Sequence, residues 1–551
     1  MAFDWQPREP DAERARSYVR AGFWNDESLG GILATGLRAV PDHAFTVRSD
    51  RYPFRGTFAD VDDLACRVAA GLRARGIGPG DAVAFQLPNW IDAAATFYAA
   101  AYLGAIVVPI VHFYGAKEVG YILRRTRVKA LVTADRFGHQ DFLANLDAIR
   151  AEGGIDDLEW VAVVGDAAPG SMFAFADLLE QGRLDAPVVV DPMAPALIAY
   201  TSGTTADPKG VVHVHRTINA EIRQLSAIQP NQQAVAEDPD AIDMLTGAPV
   251  GHGIGMLAAL LTPVFRRRNV HLIDVWDPKR VLAAMAEDHL SAGQGATFFL
   301  TSLLDHPDFD PAVHGPLMAH IGLGGAAVPI AVCERARALG IECSRSFGST
   351  EHPSITGSTF EDPFEQRACT DGRPLPGVEM RLIGDDGRDV GPGEPGEIVS
   401  RGPDCFFGYT DPARTAEAID ADGWYATGDV GVLDENGCLS ITDRKKDIII
   451  RGGENISAQE VEELIARIDG VAECAVVAAP DPRLGEHAAV FVRMQSGHDD
   501  PSLDSVRAHL DAAGLARQKW PEELRSVAEF PRTPSGKVQK FVLRQRLRDE
   551  A

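Results

Sequence analysis

The stretch Tyr200-Thr201-Ser202-Gly203-Thr204-Thr205-Ala206-Asp207-Pro208-Lys209-Gly210 gathers hydroxyls, glycines and one lysine at the density that phosphate binding needs. Consecutive small residues bring backbone N–H groups and side-chain donors together, and such a nest wraps phosphate oxygens. Lys209 adds a mobile positive charge. Apolar runs at 196–200 and 211–215 read as strands, so the loop is expected at the tip of a hairpin. A Walker loop, in which Gly-Lys-Ser/Thr opens a helix, is absent, and this disfavours a phosphotransferase.

Six further stretches carry chemistry. Gly251-His252-Gly253-Ile254-Gly255-Met256 precedes a helix-like run at 257–261 and reads as a pocket wall or as a tight strand–helix turn. Gly322-Leu323-Gly324-Gly325-Ala326-Ala327 and Ser346-Phe347-Gly348-Ser349-Thr350-Glu351 join small residues, which let a flat ring approach the backbone, to an aromatic that can stack on a base. Glu351 offers the hard oxygen that Mg²⁺ prefers, beside the Thr350 hydroxyl. Gly423-Trp424-Tyr425-Ala426-Thr427-Gly428-Asp429 is expected to hold Asp429 in a short turn, suited to accept from a ribose diol. Thr442-Asp443-Arg444-Lys445-Lys446-Asp447 and Ile448-Ile449-Ile450-Arg451-Gly452-Gly453-Glu454-Asn455 follow, a basic run between apolar strands that also fits a solvated edge.

The elements that must position these residues are legible in outline. Thr57 with Asp60 opens a helix whose Val61, Leu64, Ala65, Val68 and Leu72 share one face until Gly76. Residues 82–87 then read as a strand, and a second helix–strand pair follows. This alternation indicates an α/β domain with a largely parallel sheet. Residues 93–111 are nearly free of charge, but Gly104 and Pro109 interrupt them and 105–108 are rich in β-branched residues. A buried helix followed by a buried strand fits better than a membrane span; peripheral membrane contact, to collect a greasy substrate, stays open. From about 447 a small α+β module is expected. Ser457-Ala458-Gln459-Glu460 is a capping box, Val461, Leu464, Ile465 and Ile468 give its helix an apolar face, and residues 471–478 read as a strand.

A chain of 551 residues with 45% apolar content forms more than one domain. A net charge of −26 argues against a general nucleic-acid binder. Seven scattered cysteines fit a reducing compartment and show no metal-binding pair. With an N-terminus that lacks the basic and apolar regions of a signal peptide, the chain reads as cytoplasmic.

Taken together, the motifs resemble the adenylate-forming superfamily of acyl-CoA synthetases, non-ribosomal peptide adenylation domains and firefly-type luciferases. They fall in that family's order from about Thr57 to the C-terminus, and the overall look is similar to medium-chain fatty acid and alicyclic carboxylate CoA ligases. The resemblance implies a large N-terminal α/β domain (1–445) with sheets flanked by helices, and a small mobile α+β C-terminal domain (446–551). It implies that Thr201, Ser202, Gly203, Thr204, Thr205 and Lys209 cover ATP phosphates. Phe347 and Gly348 on one side and Gly325 and Ala326 on the other would flank adenine, and Asp429 and Arg444 would hold the ribose. Thr350 would contact phosphate, Glu351 would bind Mg²⁺, and Lys537 in Pro534-Ser535-Gly536-Lys537 would be the lysine of the adenylation step. Lys446 falls at the hinge, and Gly452, Gly453 and Glu454 would line a narrow CoA passage. His252, Gly253, Met256, Gly324 and Ala327 are the candidates for the acyl pocket. The pocket stretches 252–256, 296–304 and 324–327 lack Lys and Arg, which points to an apolar acid.

The chain departs from the family pattern at three places: Ala206 stands for a usual glycine, Asp443 for the common glycine before Arg444, and Ala458 for a common proline. The implied reaction joins a carboxylic acid to CoA at the expense of ATP, through an acyl-adenylate. A stand-alone acyl-AMP ligase that loads a carrier protein is the nearest alternative. A non-catalytic nucleotide-binding homologue is the other, and the presence of Glu351 and Lys537 weighs against it.

Overall fold

The structure, a computed structural model, describes residues 5, 8, 10–166, 168–201, 208–227, 242–445, 447–451, 454–533 and 536–550, with only the backbone for 454 and 455. Among these residues, two sheets with parallel centres build the body of the large domain. The seven-stranded one runs Lys209–Val214, Pro195–Thr201, Ile106–Ile110, Ala82–Gln86, Ala130–Ala134, Trp160–Val164, Phe173–Ala174, antiparallel only at the first pair. The five-stranded one runs Leu290–Ser291, Asp243–Thr246, Val270–Ile273, Ala44–Arg48, Phe54–Thr57.

The helix Phe58–Ala74 starts where Thr57 and Asp60 close a reciprocal capping box. It buries Val61, Ala65, Val68 and Leu72. The helix Ile91–Tyr102 is buried from Ala93 onward and leads into the buried strand Ile106–Ile110. No helix among the described residues is long and apolar enough to cross a membrane. Both helices are sandwiched between the sheets: one core joins Phe45 and Leu272 to Leu72, Phe97 and Tyr98, and these to Val83 and Val107. Strands covered on both faces read as unbroken apolar runs, which is why the central strands show so little alternation.

A parallel pair, His320–Gly324 and Glu342–Phe347, and an antiparallel sheet, Glu379–Ile383, Gly396–Arg401, Tyr425–Leu433, Leu439–Arg444, complete the large domain. The C-terminal sheet alternates as a strand with two covered faces must. Val476 and Val490 meet the helices Ala458–Ile465 and Leu503–Ala512, while Ala475, Val477 and Phe491 meet the helix Lys540–Glu550.

Two local expectations change. The strand expected at 211–215 ends at Val214, and His215 instead opens the helix His215–Ala227. Asp429 lies inside the strand Tyr425–Leu433 rather than in a turn. Gly428, at φ +73°, only bulges that strand, so the pairing with Gly396–Arg401 shifts register there.

Candidate active site

A cleft of about 1410 Å³ is lined from both domains. Thr201, Lys209, Gly324, Gly325, Ala326, Ala327, Phe347, Gly348, Thr350 and Glu351 face it. So do His252, Gly253, Met256, Asp429, Arg444 and, from the small domain, Lys537. Ser202, Gly203, Thr204, Thr205, Lys446, Gly452 and Gly453 lie outside the described residues. Glu454 pairs with Arg451 across a hairpin.

At the end where phosphate is expected, the hairpin is present: Tyr200 pairs with Gly210 and Thr201 with Lys209. Lys209 Nζ lies 5.2 Å from the centre of the Tyr409 ring. The Tyr409 hydroxyl donates to Glu351 Oε1 at 2.7 Å, and the Phe406 N–H donates to the Glu351 carbonyl at 2.8 Å. His213 Nε2–H donates to the Thr350 carbonyl at 2.7 Å. Burial pushes the His213 imidazole down, so it works as a neutral donor. The turn that carries Thr350 and Glu351 is closed tightly, since a Cβ on Gly348 would stand 1.9 Å from the Pro353 carbonyl oxygen.

Beneath this turn lies a buried network that the sequence did not reveal. Ser354 Oγ donates to Glu221 Oε1 at 2.8 Å. Among the described residues no donor reaches Glu221 Oε2 or Asp404 Oδ2, and the two carboxyls lie close enough to act on each other. Two carboxylate oxygens can bond only through a shared proton. Burial and the Asp404 charge accordingly push Glu221 up to about 8. His352 Nε2 meets Asp404 Oδ1 at 3.2 Å and its Nδ1 meets Ser400 Oγ at 2.8 Å. Burial alone would push this imidazole down; the Asp404 carboxylate overrides it and lifts it to about 10.

At the end where the nucleoside is expected, Asp429 and Arg444 are cross-strand partners. Arg444 Nε reaches Asp429 Oδ1 at 2.7 Å. Phe347 ends one strand of the parallel pair and Gly324 ends the other. Gly325 follows at φ +75°, the left-handed region open to glycine, and turns the chain past Phe347.

At the end where the acyl group is expected, His252 caps the helix Gly253–Met256, which continues through a π turn, Leu257–Leu261, into Thr262–Phe265. Such widened turns concentrate at functional sites. Burial, with the nearby Lys537 charge, pushes His252 down to about 4. The three stretches read from sequence carry no Lys or Arg, but charged side chains from elsewhere line the same cleft. Glu221, Asp243, Arg266 and Arg268 also line it, with Arg268 Nη2 2.6 Å from Asp243 Oδ1. They come from a helix, a strand end and a connection that no single motif spans.

The small domain reaches this end through the loop that precedes Lys537. The Arg532 guanidinium lies 5.0 Å from the centre of the Phe298 ring. Its Nη1 donates to the Gly536 carbonyl at 2.8 Å. A Cβ on Gly536 would stand 3.5 Å from that of Ala296. The Lys537 N–H donates to Thr533 Oγ1 at 3.1 Å.

A large α/β domain and a small α+β domain that close on one cleft, lined by lysines, hydroxyls and apolar side chains, define a nucleotide-dependent enzyme of acid activation. Residues 35–410 match the AMP-binding enzyme family and residues 460–537 the AMP-binding enzyme C-terminal domain. The chain belongs to this family, in the adenylate-forming superfamily, among its acyl-CoA synthetases. It is 32% identical to the medium-chain fatty-acid–CoA ligase of Escherichia coli, over 97% of this chain and 93% of that protein. It is 36% identical to a methyl-dioxo-octahydroindenyl-propanoyl:CoA ligase of Rhodococcus jostii, over 89% of this chain and 94% of that one. The ATP-bound MatB of Rhodopseudomonas palustris superposes with a TM-score of 0.82 at 26% identity, covering 95% of this chain and 100% of that one.

Proposed function

We propose that the chain converts a carboxylic acid of fatty or alicyclic type, with ATP, to an acyl-adenylate and pyrophosphate, and then passes the acyl group to CoA with release of AMP. The supporting observation is that the Lys537 loop of the small domain rests on residues 296–298 while the phosphate hairpin, Glu351 and the Asp429–Arg444 pair face the same cleft.

In the first step the acid is already ionised, so no base is required. One carboxylate oxygen attacks the α-phosphorus as the bond to pyrophosphate breaks. The chain's work is to position two anions and neutralise the charge that grows on the phosphates. Lys209, the Thr350 hydroxyl and Lys537 supply donors. Asp429 and Arg444 hold the ribose, and Phe347 with Gly325 and Ala326 flank the base. His252, kept neutral, adds no charge beside the acyl chain. Mg²⁺ fits this site through Glu351: one buried carboxylate oxygen is oriented by Tyr409, and Mg²⁺ commonly takes one or two carboxylates, with substrate phosphates and water filling its shell. Bound there, the ion would neutralise phosphate charge.

In the second step the CoA thiol attacks the acyl carbon and AMP leaves. Lys537 has no task in it. The small domain, from 446 on, would turn about Lys446 and bring Gly452, Gly453 and Glu454 to the cleft as the pantetheine passage.

A panel of octanoate, decanoate, cyclohexanecarboxylate, benzoate and propanoate tests the reading. It predicts pyrophosphate and AMP with the first three, and a thioester once CoA is added. Release of ADP, or acyl-AMP that never reaches CoA, would overturn it.

A further inference from the structure

Beside the rotation point, the two domains meet through a few polar contacts of unusual form. Asp443, on the last strand of the large domain's antiparallel sheet, is only 5% exposed. Its Oδ1 accepts from the Arg444 N–H at 2.8 Å and its Oδ2 from the Ala458 N–H at 2.7 Å. Ser457 Oγ donates to the Thr442 carbonyl at 2.7 Å. Ala458 is the first residue of the small domain's helix Ala458–Ile465. Its N–H is one that a helix leaves without an internal acceptor, and a carboxylate there also meets the helix's positive end. Lys540, paired with Glu462 at 2.7 Å, is a positive charge near Asp443. A third contact lies further along the helix, where Glu463 Oε2 accepts from the Ile330 N–H at 3.2 Å.

We infer that Asp443 is a positioning residue: its bond to the Ala458 N–H latches the small domain in the arrangement that seats Lys537 at the cleft, and the turn toward thioester formation breaks it. This rests on the two-step reading above. Positions 443 and 458 flank position 446 in the chain, so a rotation of the small domain about that point carries the donor away from the acceptor. Glycine at 443 would bring no acceptor and proline at 458 no donor. The latch sets the balance between the two half-reactions.

Ala458→Pro tests this with little other disturbance. Proline is favoured at the first position of a helix, and Ser457, at φ −71° and ψ 115°, already has the extended backbone that precedes a proline. Two rates are measured at saturating substrate: pyrophosphate release from octanoate with ATP, and thioester formation from supplied octanoyl-AMP with CoA. Their ratio follows the ratio of the two domain arrangements, whichever predominates. A hydrogen bond to a charged group is worth enough to move that ratio about tenfold or more. The adenylation-to-thioester ratio is expected to fall by that factor in Ala458→Pro and in Asp443→Ala. The double variant should fall no further than Asp443→Ala, because both changes delete one bond. Ala458→Ser keeps the N–H and should keep the wild-type ratio. An unchanged ratio in Ala458→Pro, an equal fall of both rates in Asp443→Ala, or additive losses in the double variant would overturn the latch. Lys537→Ala is run alongside. If it separates the half-reactions and Ala458→Pro does not, the latch alone fails; if Lys537→Ala slows both steps equally, the two-step reading fails and takes the latch with it.

Discussion

The floor under Thr350 and Glu351 and the seam against the small domain use the same kinds of residue to opposite ends. On the floor, the side chains of His352 and Asp404 are both at 0% exposure, and Glu221 is equally buried. Three stretches brace one another there: 213–221, 349–354 and 400–409. At the seam, a cation over a ring, two carboxylates each on one N–H, a serine hydroxyl on a carbonyl and a lysine on a short loop do the joining. The floor belongs wholly to the large domain and serves both half-reactions, so it is cross-tied. The seam has to form and break on every turnover, so its bonds are few and each is polar. Buried ionic networks lock geometry because a lost partner leaves an uncompensated group behind, whereas a contact at a domain edge can exchange its partners for water.

If this contrast is right, variants at the seam split the half-reactions and variants on the floor do not. The largest effect is expected from Lys537→Ala. Adenylation should fall by about 10²–10³, as for other lost electrostatic donors, while thioester formation from supplied acyl-AMP persists. Equal loss in both steps would erase the contrast. Next comes Gly348→Ala on the floor. The added Cβ meets the Pro353 carbonyl, so thermal unfolding should show a loss of about 1–3 kcal/mol, and both half-reactions should slow together.

Glu221→Gln is expected to act through pH, by a few kcal/mol at most. Folding raises the proton affinity of this carboxyl, up to about 8. The folded chain therefore holds a proton that the unfolded chain has released, and stability falls as pH rises from the ordinary carboxylate range toward that value. Gln cannot ionise, so the wild type should lose stability relative to the variant across that window. Parallel unfolding curves for both proteins at every pH would contradict a shared proton. The smallest effect belongs to Phe298→Ala. Removing the ring under Arg532 costs about 0.5–1 kcal/mol, a shift of about two- to fivefold in the adenylation-to-thioester ratio at saturating acid.

How much of this was legible in the sequence depended on distance along the chain. The phosphate hairpin, the Phe347–Glu351 turn and the capped helices are local, and each announces itself through glycines, hydroxyls or caps within a few residues. Asp429 and Arg444 were legible as two short motifs, although the turn expected at Asp429 is a bulge in a strand that its apolar and aromatic neighbours extend. The tie from Tyr409 to Glu351 spans 58 residues and that from Ser354 to Glu221 spans 133. No periodicity links such positions, so a sequence reading passed over the floor entirely. Asp443 and Ala458 stand 15 residues apart and were visible as oddities. Their meaning needed the fold, because only there does the Asp443 carboxylate meet the Ala458 N–H.

One cross-link tests most directly whether a single cleft is shared by a domain that comes and goes. A Cβ at 536 stands 3.5 Å from the Cβ of Ala296, within disulfide range. Ala296→Cys combined with Gly536→Cys, oxidised, should still release pyrophosphate and accumulate acyl-AMP, should make no thioester with CoA, and should resume thioester formation when reduced. Thioester formation by the oxidised protein at the rate of the reduced one would contradict the account.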